Sequence, residues 1–292
     1  MGSRSPIVLD GGLSNALEDR GHDLSDALWS ARLLKDAPAE IAAVHRAYFE
    51  AGAMVATTAS YQASVDGFAQ AGVPVAEAEA LIASSVHIAR EVRDEFGGGR
   101  LVAASVGPYG AVLADGSEYR GRYGVSAAAL RDFHGPRLEL LIGAGPDLLA
   151  VETIPDVDEA EVLVELLREL DFPAWLSFSA ADGRTRAGQP LADAFALAAI
   201  DQVVAVGINC CAPEEVAAAI ALAVQPAVVY PNSGETWDAE ARNWTGSAAT
   251  LTDLAPAWAA AGAAYIGGCC RVGPADIRVL AAAISDAQDL AQ

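Results

Sequence analysis

All four cysteines of the chain lie in two adjacent pairs, Cys210-Cys211 and Cys269-Cys270. Thiolates bind zinc at about 2.3 Å, and a catalytic zinc ion keeps three protein ligands and one open position. Four cysteines are too few to form a disulfide scaffold for 292 residues, and clustered cysteines in a reducing cytosol are typical of metal binding or catalysis. The alternative is that they are small buried apolar residues, as free cysteines often are. The pattern favours a metal site, without the spacing of a CxxC signature.

Eight short apolar runs recur along the chain, bounded by glycine, proline, asparagine or charged residues. Such runs are typical of strands that are buried on both faces. They are Ile7–Leu9, Ala53–Thr57, Leu101–Ser105, Asp147–Val151, Ala174–Phe178, Val203–Ile208, Ala227–Tyr230 and Ala263–Ile266. Apolar residues at helical spacing predict helices over Ala39–Ala51, Val75–Phe96, Asp158–Leu170, Leu191–Ile200, Pro213–Val224, Leu251–Ala261 and Pro274–Ala287.

The alternation of strands and helices leaves two architectures, an open doubly wound sheet and a (β/α)8 TIM barrel. Polar and reactive residues follow most of the strands: Asp10-Gly11-Gly12, Thr57-Thr58, Glu152-Thr153, Asn209-Cys210, Asn232-Ser233-Gly234 and Gly267-Gly268-Cys269-Cys270. In a barrel these ends converge on one face, whereas an open sheet would spread them along a row. We therefore predict a single (β/α)8 barrel domain over residues 1–292. One cysteine from the sixth strand and two from the eighth would then meet, with Gly267-Gly268 allowing a sharp turn.

The charge of the chain excludes several classes of partner. Lys and Arg number 18 against 39 Asp and Glu, which gives a net charge of −21. Nothing in so acidic a chain would neutralise the phosphates of a nucleic acid or match an anionic membrane surface. No apolar run approaches the roughly 18 residues of a membrane span, and no apolar signal segment follows residues 1–6. We expect a cytoplasmic protein with small-molecule partners, and the sequence leaves a homo-oligomer open.

Several segments together resemble the homocysteine S-methyltransferase family. They are Asp10–Gly12, Thr57–Gln62, Glu152–Pro155, Gly207–Cys210, Tyr230–Glu235 and Gly267–Arg271, so the resemblance covers nearly the whole chain. It implies a zinc-dependent enzyme that moves a methyl group from a sulfonium donor to the zinc-bound thiolate of homocysteine and forms methionine.

The segment Ser105–Gly121 is similar to the branch of this family that uses S-methylmethionine or S-adenosylmethionine as donor. Its several glycines predict a long loop after the third strand. Such a loop is either an active-site lid or an ordered surface loop.

The resemblance also implies a role for individual residues. Cys210, Cys269 and Cys270 would be the Zn2+ ligands, which leaves Cys211 as a core or spare thiol. The homocysteine site would be bordered by Asp10, Gly11, Gly12, Thr58, Glu152 and Asn232. Among these, Glu152 would receive the α-ammonium group by a charge-assisted hydrogen bond, or else lie in the N-cap region of the next helix. Asn232 would contact the carboxylate of the amino acid, or else start a turn.

Two aromatic residues, Trp29 and Tyr61, are implied to lie near the methyl donor. An aromatic face attracts the positive charge of a sulfonium, although a lone aromatic residue is as often a packing residue. Tyr61 is also a candidate catalytic residue, because its hydroxyl could occupy the open zinc position when substrate is absent.

The sequence allows three other functions. The same barrel could act on another acceptor or donor, such as selenocysteine or betaine. It could bind zinc and a small amino acid without chemistry, or it could use vicinal cysteines as a redox pair. The histidines do not add a site, because His22, His45, His87 and His134 are scattered without the spacing of metal ligands.

Overall fold

The computed structural model describes residues 5–25, 28, 30–238, 243–249 and 251–289. The predicted donor-site residue Trp29 lies outside these described residues. Eight parallel strands form the central sheet: β1 Ile7–Val8, β2 Val55–Thr57, β3 Leu101–Val106, β4 Leu148–Ile154, β5 Ala174–Phe178, β6 Val203–Asn209, β7 Ala227–Tyr230 and β8 Ala263–Ile266.

The strands pair in chain order from β2 to β8, and β8 then pairs in parallel with β1. A parallel bridge between Leu9 and Val55 joins β1 to β2, so the ring is closed. This arrangement confirms the predicted (β/α)8 barrel. The eight predicted strands are all present. However, β4 continues to Ile154, so Glu152 and Thr153 lie within the strand rather than after it.

Twelve helices are described around the ring, together with two short 3-10 turns, Ser117–Tyr119 and Pro213–Glu215. The helices are α1 Leu13–Glu18, α2 Ser30–Asp36, α3 Pro38–Glu50, α4 Val65–Gln70, α5 Val75–Phe96, α6 Tyr109–Leu113, α7 Ala127–Gly143, α8 Val157–Leu170, α9 Leu191–Ala196, α10 Val216–Leu222, α11 Leu251–Ala260 and α12 Pro274–Asp289. Antiparallel hairpins join Ala180–Ala181 to Arg184–Thr185 and Thr236–Asp238 to Asn243–Thr245.

The helix α7 was not predicted from the sequence. Its buried face includes His134 and Arg137 beside leucines, and Pro136 lies inside it. A buried face that contains charged and polar side chains does not produce the apolar periodicity by which helices are recognised. Two predicted helices are also shorter than expected, because α9 ends at Ala196 and the segment from Pro213 begins as a 3-10 turn.

Two layers of core hold the barrel together. The larger layer lies between the strands and the surrounding helices, and the smaller one fills the interior of the ring. Inside the ring the fully buried indole of Trp175 donates its N–H to the hydroxyl of Tyr230 at 3.0 Å. The interior is therefore packed, as in other barrels of this type, and chemistry is left to the strand ends. Within the described residues, no helix has the length and hydropathy that crossing a membrane requires.

Two glycines offer a matched test of this packing. A Cβ on Gly207 in β6 would lie 1.8 Å from the carbonyl oxygen of Val228, a backbone atom that cannot move aside. A Cβ on Gly135 in α7 would lie 3.7 Å from its nearest neighbour, the Cδ2 atom of Leu166. We expect Gly207→Ala to lower the free energy of unfolding by about 2 kcal/mol or more through overpacking. Gly135→Ala should raise it by about 0.5–1 kcal/mol, because alanine is the better helix former. Urea unfolding of both variants would measure this difference, and equal effects would contradict the packing described here.

Candidate functional site

Three cysteine sulfurs converge at the carboxyl end of the barrel. The Sγ atoms of Cys210, Cys269 and Cys270 all lie within 4.8 Å of one another, and those of Cys210 and Cys270 are 3.7 Å apart. Within the described ranges, no other group of three or more His, Cys, Asp or Glu side chains could share a metal ion. Three thiolates with one remaining position are the donor set of a catalytic zinc site. The chemistry and spacing of these side chains therefore fit a metal ion.

The fourth cysteine does not join this group. Cys211 is buried in the core between strands and helices, where burial raises the pKa of its thiol far above the ordinary value. Hydrogen bonds from Cys269 and Cys270 instead lower the pKa of the Cys210 thiol. The thiol pKa values of the adjacent residues Cys210 and Cys211 are thus shifted in opposite directions.

The backbone of Cys210 is turned into the left-handed region, with a φ of 49°. A residue other than glycine adopts this conformation at a cost of about 1–2 kcal/mol. The main-chain N–H of Cys210 donates to the carbonyl of Tyr230 at 3.3 Å, immediately after the two strands β6 and β7 end. This local strain lies at the point where the side chain turns toward the other two cysteines.

The segment after β7 lies between the two cysteine segments and holds both. The N–H of Cys269 donates to the carbonyl of Pro231 at 2.8 Å, and the N–H of Cys270 donates to Oδ1 of Asn232 at 3.1 Å. Asn232 in turn donates its own N–H to the carbonyl of Cys211 at 2.9 Å. The side chain of Asn232 thus holds the backbone of Cys270, and its predicted contact with a substrate carboxylate stays a prediction.

The two glycines before the cysteine pair lie in close contact with neighbouring segments. Neither Gly267 nor Gly268 has a left-handed φ. A Cβ on Gly267 would lie 2.6 Å from the Cβ of Leu9, and one on Gly268 would lie 2.1 Å from Cγ1 of Val272. The two glycines are therefore required by close packing, and their part in a sharp turn of the backbone stays a prediction.

Close packing also explains Gly11 and Gly12 at the end of β1. A Cβ on Gly11 would lie 2.1 Å from the carbonyl oxygen of Val272, and one on Gly12 would lie 2.6 Å from that of Cys269. The N–H of Gly12 donates to Val272 at 2.9 Å. The first strand end thus supports the loop that carries Cys269 and Cys270, while the predicted role of these glycines at the homocysteine site stays untested.

Two predicted substrate residues form hydrogen bonds between neighbouring strand ends. The carboxylate of Asp10 accepts the N–H of Thr57 at 2.6 Å and its hydroxyl at 2.8 Å. Burial raises the pKa of Asp10 to about 7 in spite of these bonds. The hydroxyl of Thr58 lies 2.7 Å from that of Ser60 and accepts the N–H of Ser105 at 3.0 Å.

Glu152 is a second buried carboxylate at the strand ends, and it accepts the hydroxyl of Ser105. Burial raises its pKa from 4.5 to about 7, and the charge of Cys210 adds to the rise. Arg137 acts in the opposite direction. The N-cap residue of α8 is Asp156. The alternative that Glu152 lies in that N-cap region is therefore wrong.

The predicted loop Ser105–Gly121 is instead the end of β3, the helix α6 and a 3-10 turn, and it reaches the cysteines. The hydroxyl of Tyr119 lies 3.2 Å from Sγ of Cys210, although 39% of the residue is exposed. Burial, and then the charge of Cys210, raise the pKa of the Tyr61 hydroxyl. The placement of Tyr61 at the open metal position stays a prediction. The contact between Tyr119 and Cys210 was not predicted from the sequence.

The first turn of α8 holds this segment at both ends. The carboxylate of Glu159 accepts the N–H of Tyr109 at 2.6 Å and the hydroxyl of Tyr123 at 3.1 Å. The carboxylate of Asp156 accepts the N–H of Arg122 at 2.8 Å. The segment from Tyr109 to Tyr123, which we call the Tyr119 segment, is thereby fixed to the helix that follows β4.

Two further residues, to which the sequence analysis gives no role of their own, form hydrogen bonds to the strand ends. The buried guanidinium of Arg137 on α7 donates to the carbonyls of Gly107, Ser60 and Tyr61. The amide of Asn209 accepts the N–H of Thr153 at 2.8 Å, and Thr153 has a left-handed φ of 61°. Arg137 lies on the helix that was not predicted, and Asn209 was noticed only as part of a motif. The histidines take no part in the metal group, in agreement with the sequence analysis.

The comparisons with known proteins agree on one family. The family described as homocysteine S-methyltransferase matches residues 7–284. The homocysteine S-methyltransferase of Escherichia coli is 50% identical over 94% of this chain and 94% of its own length. The homocysteine S-methyltransferase YbgG of Bacillus subtilis is 48% identical over 94% and 93%. The crystal structure of the homocysteine methyltransferase MmuM from Escherichia coli, in its metallated form, superposes with a TM-score of 0.86 at 47% identity and covers 96% of both chains.

The raised pKa of Glu152 generates a test on stability. The unfolded chain ionises this group near pH 4.5, whereas the folded chain keeps it protonated until about pH 7. Its contribution to stability is therefore present below pH 4.5 and is lost as the pH rises to about 7. We expect Glu152→Gln to be more stable than the wild type at about pH 8 by on the order of 2–3 kcal/mol, and by less at about pH 5.

Chemical unfolding at the two pH values would measure the gap between the proteins. The control is Glu161→Gln, which changes an exposed glutamate of α8 and should show no such pH dependence. A difference in unfolding free energy that does not change with pH would show that burial does not raise the pKa of Glu152.

Proposed function

The chain belongs to the homocysteine S-methyltransferase family, and from this premise we propose that it converts homocysteine to methionine with a sulfonium methyl donor and a resident zinc ion. The observation that carries the proposal is the convergence of three cysteine sulfurs within 4.8 Å at the catalytic end of a closed barrel. We include in the proposal that residues 1–292 form one homocysteine-binding domain.

The residues that would hold the ion are Cys210, Cys269 and Cys270, and the metallated form of the similar MmuM structure supports a metal here. When bound, zinc supplies the Lewis acidity that converts a coordinated thiol, with an ordinary pKa near about 8.5, into a thiolate. The N–H groups of Cys269 and Cys270 donate hydrogen bonds to the segment after β7, and these bonds hold the two residues in place.

The acceptor amino acid would be recognised by the buried carboxylates. Glu152 is held at the end of β4 with a pKa raised chiefly by burial, so a cationic partner would stabilise its ionised form. The α-ammonium group of homocysteine supplies such a partner through a charge-assisted hydrogen bond. Asp10, Thr58 and Asn232 lie at strand ends around the same face and would border this amino acid, together with Gly11 and Gly12.

The donor would approach over the side of the site formed by the Tyr119 segment and Tyr61. The thiolate sulfur of homocysteine forms a bond to the methyl carbon while the bond from that carbon to the sulfonium sulfur breaks. The electron pair of the broken bond stays on the donor sulfur, which leaves as a neutral thioether, and the thiol proton has already passed to solvent. The chain contributes alignment of the two sulfurs, an effect that can be worth several kcal/mol. The aromatic face of Tyr61, and that of Trp29, would attract the cationic donor.

Parallel assays separate this function from the others. We expect methionine from homocysteine with S-methylmethionine or S-adenosylmethionine, and little with betaine. Selenocysteine in place of homocysteine tests the acceptor. Zinc and amino-acid binding without any product would support the non-catalytic barrel instead. Activity that survives a chelator but is lost on thiol alkylation would support the redox alternative.

A pair of cysteine variants tests the metal assignment. We expect Cys269→Ser to lose zinc and activity together, because removal of a ligand exceeds the roughly 10–100-fold loss of affinity that is typical of an outer-shell change. Cys211→Ala should keep both, since this thiol lies in the core. Metal content by mass spectrometry and methionine formation would be measured on each variant. Full zinc in active Cys269→Ser protein would disprove the assignment.

A further inference from the structure

The buried carboxylate of Glu118, next to Tyr119 in the segment that reaches Cys210, has no part in the function proposed so far. Only 7% of the residue is exposed. Its Oε2 atom is buried and accepts no hydrogen bond from any described residue. Buried polar atoms in folded proteins are almost always hydrogen-bonded, so an unpartnered carboxylate oxygen calls for a donor from outside the chain.

The position of Glu118 points to the reaction site. It occupies the middle of the 3-10 turn Ser117–Tyr119, and the hydroxyl of the next residue, Tyr119, lies 3.2 Å from Sγ of Cys210. Burial raises the pKa of Glu118, and the charge of Cys210 adds to this rise. Glu118 in turn contributes to the raised pKa of the Tyr61 hydroxyl, after burial and Cys210. Glu118 is thus the neighbour in sequence of the residue that contacts Cys210, and it lies within electrostatic reach of Cys210 and Tyr61.

The chain itself supplies little positive charge to this carboxylate. The positive charge of Arg120 opposes the rise in the pKa of Glu118 less strongly than burial, Cys210 and Asp115 promote it. The guanidinium of Arg120 is exposed and is directed to Ser117 at 3.1 Å and Asp115 at 3.5 Å. Buried Arg137 gives its hydrogen bonds to backbone carbonyls. The carboxylate of Glu118 thus lacks a partner that carries both a positive charge and N–H donors.

We propose that the carboxylate of Glu118 receives the α-ammonium group of the amino-acid methyl donor. The sulfonium sulfur has no hydrogen to donate, whereas the ammonium group of S-methylmethionine or S-adenosylmethionine has three. The reaction brings two amino acids to the site, and each brings one ammonium group. Glu152 is assigned to the acceptor and Asp10 already accepts two hydrogen bonds from Thr57, so Glu118 is left for the donor.

This inference rests on the proposed function, and the isosteric variant Glu118→Gln tests it. We expect KM for S-methylmethionine to rise about 10- to 100-fold, the effect of losing one charge-assisted hydrogen bond. KM for homocysteine, the zinc content and the circular dichroism spectrum should stay as in the wild type. The matched control is Glu214→Gln, an exposed glutamate shortly after Cys210, which removes the same charge and should leave all of these values unchanged.

A second arm identifies the group that Glu118 contacts. The desamino analogue of S-methylmethionine, a dimethylsulfonio-butanoate, keeps the sulfonium and the carboxylate but lacks the ammonium group. Its inhibition constant against S-methylmethionine should be the same for wild type and Glu118→Gln, because the group that binds Glu118 is missing. An inhibition constant that rises in parallel with KM would overturn the assignment to the ammonium group.

The two proposals fail in different ways. Active wild-type enzyme whose donor KM is unaffected by Glu118→Gln would overturn this inference alone. A rise in KM for homocysteine rather than for the donor would also overturn it, because Glu118 would then serve the acceptor. Wild-type and Glu214→Gln proteins that both form no methionine from any sulfonium donor would overturn the proposed function, and the inference would be overturned with it.

Discussion

The backbone hydrogen bonds of the segment after β7 determine where the three cysteines lie. Cys210 and the pair Cys269-Cys270 belong to strands that are not neighbours, because β7 is paired between β6 and β8. The carbonyls of Tyr230 and Pro231 and the side chain of Asn232 bond to the two cysteine segments from either side. Neither segment has regular secondary structure to fix it at this point. The separation of the sulfurs therefore depends on a short stretch of chain that contains no metal ligand.

Electrostatic strain is the second constraint on the site. The three thiols and the buried carboxylates of Asp10, Glu118 and Glu152 lie at one end of the barrel. The buried guanidinium of Arg137 is bonded to backbone carbonyls. Burial of charge without a partner opposes folding, so these groups lower the stability of the empty protein. The same arrangement favours any ligand that brings positive charge and hydrogen-bond donors. Stability is commonly given up at functional sites in this way, which explains why the carboxylates are not replaced by amides.

Much of the barrel was predictable because strands buried on both faces produce continuous apolar runs with polar residues at their ends. The same pattern placed both cysteine pairs at strand ends, whereas the choice of Cys210 over Cys211 came from the resemblance to the family. The helix α7 was not predictable in this way, because a buried His134 and Arg137 interrupt its apolar face. The contact of Tyr119 with Cys210 and the unpartnered oxygen of Glu118 depend on the path of the segment between β3 and α7. Nothing in local sequence specifies that path, since it is set by hydrogen bonds to Asp156 and Glu159 on a later helix.

The close fit of Gly11 and Gly12 against Cys269 and Val272 has a consequence for biosynthesis. A ribosome makes the first strand long before β8 and the two cysteines that follow β8. The loop that presents these cysteines is supported by the first strand end, and the ring closes only when β8 pairs with β1. Contacts that join distant parts of a chain form late, because a long loop must close first. The thiol cluster therefore assembles only after β8 has been made and paired, and until then Cys210 is separated in a nascent chain from Cys269 and Cys270.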